Sequence, residues 1–437
     1  MKFILINFAL FLFIAQLAFA NVIIEEELYV VTSDAAISKK LQHSTELIID
    51  HVGQHGFEVF GPKGTRKYLE SQGLSVLDVK SIKQNAEDFL NYPSYTQWVT
   101  RVRAAVEKAP SIAKMFSIGK SHQGRDLWVV KISDNVNVDE VEPEFKYISS
   151  MHGDEITGRE LMVFLIEDLI SAYKSDASTQ EMINNTEIFI MPSMNPDGSE
   201  KRVRYNAKNI DLNRNFPAFT RNDRNTMDNR EPETIAVMTF QQKRNFSLSA
   251  NFHGGAVVMN YPWDSTYDRH PFDGLAQELA LDYANLNPEM RNSTEFSRGI
   301  TNGADWYVLH GGMQDWSYFW HNDLQMTVEL SQQKWPNYGL IPNYYKDNKD
   351  SLLSFMAKIH QGAGIKLENA ISGTVAITDS NGKNLGTYAF ERGEFYKILS
   401  PGLYTFNVAA GSIRQTVEVI VDADRIAQEN GNFVTVK

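Results

Sequence analysis

The 437-residue sequence predicts an α/β protein in three successive parts, and three patterns carry that expectation. From about Phe89 to Lys366, helical apolar periodicity alternates with short apolar runs, the signature of an α/β domain on a largely parallel sheet. After Gly364 only short alternating segments at turn spacing remain, which predicts a β-sandwich of roughly 70 residues. Ahead of Lys80, strand-like and helical stretches succeed one another closely enough to form a small α/β unit. One ordinary core does not accommodate so long a chain, so several domains are expected.

Taken in order, Met1-Lys2 followed by the apolar run Phe3 to Phe19, with small residues at Ala18 and Ala20, reads as a secretory signal peptide over residues 1–20. Residues 21–87 hold the small unit and a linker: strand-like Ile23 to Val31, helical Ala35 to His51, strand-like Phe57 to Phe60, helical Thr65 to Gln72, strand-like Leu74 to Val79, then polar Ser81 to Glu87. In the main domain, 88–366, Leu161, Phe164, Leu165 and Leu169 recur at three- and four-residue steps and predict one buried helix face. Leu248, Ala250 and Phe252 alternate with polar residues, as do Met326, Val328 and Leu330, so both stretches read as strands. Residues 367–437 give strands at Ile371 to Ile377, Leu385 to Phe390, Phe395 to Leu399, Leu403 to Val408 and Gln415 to Val421, with a hairpin signal at Asn381-Gly382.

Composition narrows the class. Hydrophobic content of 43% suits a soluble protein, and no segment after the leader is apolar enough to span a bilayer. Cysteine is absent, which removes disulfides, thiolate metal sites and the acylated cysteine of a lipoprotein, and favours a periplasmic or extracellular enzyme held by its core and a metal. A formal charge of −12 argues against nucleic acid and anionic membrane as partners.

The chemistry starts at His152-Gly153-Asp154-Glu155. A histidine and a glutamate three positions apart, just after an apolar run, can grip one metal from a single turn. His253 closes a predicted strand at Phe252-His253-Gly254-Gly255, and Glu329 projects opposite Val328 and Leu330. Two histidines and a glutamate with an open position form the ligand set of a catalytic zinc site, whereas a structural site closes with four protein ligands.

Five motifs in fixed order make the chain resemble the zinc carboxypeptidases of the funnelin type, and among them the N/E subfamily. They are Ile118-Gly119-Lys120-Ser121 with Gly124-Arg125, the HGDE stretch, Met194-Asn195-Pro196-Asp197-Gly198, Asp211-Leu212-Asn213-Arg214-Asn215-Phe216-Pro217, and the stretch from Asn302 through Tyr307, Asp315 and Glu329. The resemblance covers roughly Tyr92 to Met356 and implies a mixed, mostly parallel eight-stranded sheet with helices on both faces. It implies one zinc ion per chain on His152, Glu155 and His253, with water in the fourth place, and Glu329 as general base. By the same resemblance Arg204 polarises the scissile carbonyl, Asn213 and Arg214 clamp the terminal carboxylate, and Tyr307 closes over substrate. Asp264 matches the acid that binds a terminal Arg or Lys, and Gln314 lies where other branches carry an apolar residue or an aspartate. Asp154 is expected to orient a ligand or pair with a basic group, and His310 and His321 to lie at the rim.

The implied activity is a secreted or periplasmic zinc carboxypeptidase acting on peptide or protein C-termini, with a transthyretin-like C-terminal domain and no stable membrane anchor. Two readings stay open beside it: an exopeptidase for murein peptides or other non-basic termini, and a peptide-binding pseudo-enzyme. Residues 21–87 depart from the N/E plan and look like the propeptide of the digestive branch, expected to cover the funnel until cleavage near Lys80 to Lys83. Oligomeric state is left open.

Overall fold

A computed structural model of the chain describes residues 24–79 except 43, 45 and 54, then 92–369, 371–422 and 433–437. The signal-peptide reading, the polar linker and the cleavage region after Val79 lie outside the described residues. Among the described residues, no helix is long and apolar enough to cross a membrane.

The N-terminal unit is a four-stranded sheet in the order β2-β3-β1-β4, formed by β1 (Glu26–Val31), β2 (Ile48–Gly53), β3 (Gly56–Gly61) and β4 (Ser75–Asp78). Its core is Leu28, Val30, Ile49, Phe57, Val59 and Leu69. One expectation fails here. The helix expected over Ala35 to His51 ends at Leu41, and Ile48–Gly53 forms a strand instead. Ile48 and Ile49 are β-branched and pair across the hairpin with Phe60 and Val59, a pleated fit that outweighs the weak helical spacing of the segment.

The central sheet has eight strands in the order β11-β10-β12-β9-β7-β8-β6-β5. Its members are β5 (Ala113–Lys120), β6 (Asp126–Ile132), β7 (Glu144–Ser149), β8 (Glu187–Met191), β9 (Phe246–His253), β10 (Ala256–Tyr261), β11 (Ile300–Asn302) and β12 (Leu324–Ser331). The middle four, β12, β9, β7 and β8, are mutually parallel, while β10, β6 and β5 make antiparallel pairings. This is the mixed, mostly parallel arrangement that was expected.

Successive residues on β7 show why both faces carry helices. Tyr147 joins a core with the helices Thr157–Ala172, Asp273–Leu286 and Ile341–Ala357, whereas Ile148 joins one with Pro232–Gln242 and the start of Met313–His321. Alternation along a strand sends neighbours to opposite faces, so β7 is buried on both, and the charged residues it carries there are paired, Lys146 Nζ with Asp323 Oδ2 (2.9 Å) and Glu144 Oε2 with the Asn245 amide (2.9 Å). Leu161, Leu165 and Leu169 are fully buried on the helix predicted to hold them. Truncating Leu165 to Ala is expected to cost about 2–5 kcal/mol. A denaturant midpoint shifted downward at unchanged slope checks it.

The C-terminal region packs two sheets face to face. One is β16-β13-β19, formed by β13 (Gly362–Leu367), β16 (Glu394–Ile398) and β19 (Phe433–Val436). The other is β15-β14-β17-β18, formed by β14 (Gly373–Asp379), β15 (Asn384–Phe390), β17 (Gly402–Ala410) and β18 (Ile413–Val421). Ile365 and Phe395 from the first sheet meet Val375, Ile377 and Phe406 from the second in one core, as a sandwich requires. The boundary drawn at residue 366 falls inside β13, a strand the sequence did not reveal.

Candidate metal centre

In an open α/β sheet, ligands bind beyond the carboxyl ends of the strands. Parallel strands β7, β9 and β12 all end at one place here, delivering His152 just after β7, His253 as the last residue of β9, and Glu329 near the end of β12.

The HGDE turn is shaped by the second sequence motif. A Cβ on Gly153 would stand 2.1 Å from the Gly198 carbonyl carbon, so only glycine lets the turn lie against the helix Pro196–Lys201. Asn195 Nδ2 donates to the carbonyls of Met151 (3.2 Å) and Arg204 (3.3 Å), and its Oδ1 caps the Gly198 amide (2.9 Å). Buried Asp197 gathers Ser121 Oγ, the Gln123 amide and Arg125 Nη1 at 2.6–2.8 Å. The motifs at 118–125 and 194–198 thus brace the turn that presents His152 and Glu155.

The three expected ligands converge. His152 Nδ1 is 3.0 Å from Glu155 Oε1, His253 Nδ1 is 2.8 Å from Glu155 Oε2, and the two Nδ1 atoms are 3.0 Å apart. All three residues are buried, with ligand atoms within 4.8 Å of one another. Two imidazole nitrogens and a carboxylate oxygen are the donors zinc takes, so the residues present fit the ion. Burial alone would raise the Glu155 carboxyl, but His152 and His253 outweigh it and hold it well below the usual range.

Asp211 was missed as a member of this centre. Its Oδ1 lies 3.0 Å from His152 Nε2, a placement by which a carboxylate fixes the tautomer and direction of an imidazole that can take a metal. The signal was available, since Asp211 opens the motif that supplies Asn213 and Arg214. Asp211 also accepts from Arg204 Nε at 3.0 Å, and Arg204 Nη1 reaches Glu155 Oε1 at 3.4 Å.

Arg214 Nη1 donates to the Asn213 carbonyl at 3.1 Å and lies 3.9 Å from Asp211 Oδ2. Asn213 Oδ1 caps the amide of Met313 at 3.1 Å. Asp264 is buried beyond them, its Oδ1 accepting from Asn260 Nδ2 (3.0 Å) and Gln314 Nε2 (2.9 Å). A Cβ on Gly303 would fall 1.9 Å from that oxygen, so glycine makes room for the carboxylate. Burial and then Asp315 push the Asp264 carboxyl well above its ordinary range. Glu329 is raised to about 8 by burial, with His51 opposing and Glu155 and Asp50 adding to the rise.

A small cavity gathers His152, His253, Asn213, Asp264, Tyr307 and Glu329 on its wall, with Arg204, Glu155, Arg214 and Gln314 one contact behind them. Asp154 instead lines a separate cavity of about 830 Å³ shared with the N-terminal unit, where its charge acts on Lys334. His310 bonds Thr220 at 2.9 Å, and half-buried His321 packs its ring tilted against Trp316, so neither joins the centre.

Asp50 and His51, which the sequence reading puts at the end of a helix and gives no role in the site, also line the small cavity, from the hairpin of β2 and β3. Asp50 ion-pairs with Arg204, and its charge beside Tyr307 helps push that hydroxyl upward after burial. Burial would raise the Asp50 carboxyl, but Arg204, His51, Arg214 and Lys334 outweigh it and hold it far below the usual range. The hairpin is fastened around them by Trp306 Nε1 on the Val52 carbonyl (2.7 Å) and by Lys334 Nζ on Glu58 Oε2 (2.7 Å).

Comparison with known proteins gives consistent results. The profile of the family described as zinc carboxypeptidase matches residues 97–351. Carboxypeptidase D of Homo sapiens is 39% identical over 366 residues, covering 76% of this chain and 26% of that protein, so the chain spans about a quarter of that relative. Carboxypeptidase M of Mus musculus is 39% identical over 341 residues, covering 70% of this chain and 75% of the relative. The carboxypeptidase N catalytic chain of Homo sapiens is 35% identical over 376 residues, covering 75% and 82%. Among solved structures, carboxypeptidase A from Helicoverpa armigera superposes with a TM-score of 0.60 at 17% identity, covering 76% of this chain and 97% of that one, a likeness of fold.

Proposed function

The chain belongs to the zinc carboxypeptidase family, and from that premise we propose that it is an exported carboxypeptidase that removes C-terminal Arg or Lys from peptides, with one zinc ion per chain. The observation that carries this reading is the single cavity onto which His152, His253, Glu329 and Asp264 all open. Zinc held by His152, Glu155 and His253 would supply a Lewis acid and water of lowered pKa, about 7.

The chain's own residues have separable tasks in this scheme. Arg214 and Asn213 hold the free carboxylate, for which a planar guanidinium fork is suited. Arg204 steadies the negative charge that grows on the scissile carbonyl oxygen, a role supported by its burial beside Glu155. Glu329 accepts the proton of the attacking water and passes it to the leaving amine, so no covalent intermediate is required. Tyr307 lies over the bound residue, and Asp264 faces its cationic side chain, with Gln314 and Asn260 orienting the carboxylate. Residues 21–87 act as a propeptide, a role supported by Asp50 sitting on Arg204 and Tyr307, two groups a substrate needs.

A panel of matched peptides ending in Arg, Lys, Phe or Glu, run with and without a chelator and before and after limited proteolysis, tests all of this. Release of Arg and Lys that a chelator stops and proteolysis increases is the expected result. Preferential release of Phe or Glu would sink the basic specificity, and equal activity before and after cleavage would remove the propeptide.

A further inference from the structure

Asp50 occupies substrate contacts, and its neighbour on the same hairpin is turned to the metal side of the cavity. The His51 side chain is only 7% exposed. Its Nδ1 pairs with Glu58 Oε2 at 3.3 Å, and Glu58 is held in turn by Lys334. Its Nε2 is buried, makes no hydrogen bond, and lies 3.8 Å from Glu155 Oε1.

This is the arrangement of a metal-ligating histidine: one ring nitrogen on a carboxylate, the other presented to the ion. His152 shows the same division, with Nε2 on Asp211 and Nδ1 toward Glu155. Two donors on one tetrahedral ion, with bonds of roughly 2.0–2.2 Å, lie roughly 3.4 Å apart; His51 Nε2 is near that separation from Glu155, but it stands outside the set of His152, Glu155 and His253, whose ligand atoms all lie within 4.8 Å of one another, so the ring must move to reach the ion. Gly255 keeps the approach open, because a Cβ there would stand 2.5 Å from His51 Nε2. A solvent-facing role does not explain an imidazole nitrogen buried 3.8 Å from Glu155 without a hydrogen bond, since such a group normally makes one.

We propose that in the intact chain His51 supplies a fourth protein ligand to the ion held by His152, Glu155 and His253, moving inward as the ion binds and closing the corner that water and substrate require. This rests on the zinc reading above and goes beyond it: the N-terminal unit caps the metal as well as the substrate groups. A closed four-ligand centre has the character of a structural site, an open one that of a catalytic site. Withdrawing the hairpin therefore converts one into the other, and any proton on His51 Nε2 passes to solvent when the ring binds.

The test uses the full-length chain loaded with one equivalent of Co²⁺ in place of zinc. Each ring N–H of a cobalt-bound histidine gives its own strongly shifted, exchangeable proton resonance. Three such signals are expected in the intact chain, and two in both His51→Ala and His51→Gln. Two signals in the intact chain, unchanged in the variants, would overturn the proposal while leaving the His152, Glu155 and His253 centre standing. Failure to bind one equivalent of Co²⁺ would overturn the zinc reading and this proposal together. Glu58→Gln, which removes the carboxylate behind His51, is expected to weaken Co²⁺ binding by about 10–100-fold in the intact chain, and unchanged affinity would count against the ligation.

Discussion

Glu329→Gln is expected to lower kcat by about 10²–10⁴ while the protein retains its metal and its fold. The residue stands on β12, beside β9 and its terminal His253, with all eight residues of the strand buried. One carboxylate oxygen, Oε2, is buried without a hydrogen-bond partner among the described residues, as expected for a base aimed into the cavity. Its raised proton affinity, caused first by burial, suits a group that must take a proton from water and carry it to an amine. Glutamine keeps the size and the polar contacts and removes only that capacity. The check pairs steady-state kinetics on the activated enzyme with metal analysis of the same sample. Unchanged turnover would show that another group moves the proton, and lost metal would show that Glu329 supports the centre instead.

The catalytic part of this molecule was legible because its chemistry is written in short motifs. HGDE folds as a turn, MNPDG caps and starts the helix Pro196–Lys201, and DLNRNFP centres on a single 3-10 turn at Leu212–Arg214, while contacts such as Asn195 on Met151 and Asp197 on Ser121 tie these local pieces together. What stayed hidden depends on pairing between distant segments. Asp50 and His51 were placed in a helix because Ala35 to Leu41 is helical and the spacing continues loosely beyond it. Only pairing with β3 makes Ile48–Gly53 a strand, and only docking on Lys334 and Trp306 brings its end to the cavity. The strand at Gly362–Leu367 was hidden for a related reason. Glycine is a poor strand former, yet Cβ atoms at Gly362 and Gly364 would lie 2.5 and 2.4 Å from carbonyl oxygens of β16, so close pairing requires it there.

Replacing Asp264 with Ala is expected to cost about 2–5 kcal/mol in kcat/KM toward terminal Arg or Lys, or roughly 30- to 5,000-fold, and to leave a terminal Phe nearly unaffected. The carboxyl is buried, and burial and then the charge of Asp315 raise its affinity for a proton. A guanidinium entering the pocket adds to the opposing charge of Arg214, which alone does not offset burial and Asp315, and so favours the ionised carboxyl. Proton release therefore accompanies binding of a basic residue. The sign follows directly: for a carboxyl whose affinity for protons is raised, the preference for Arg over Phe strengthens as pH rises and weakens as it falls. In Asp264→Ala that pH dependence should vanish along with the preference. Measuring kcat/KM for the Arg and Phe peptides across pH in both proteins separates this from a capping role. Loss of Asp264 as a mere structural cap would depress both substrates together and leave their ratio independent of pH.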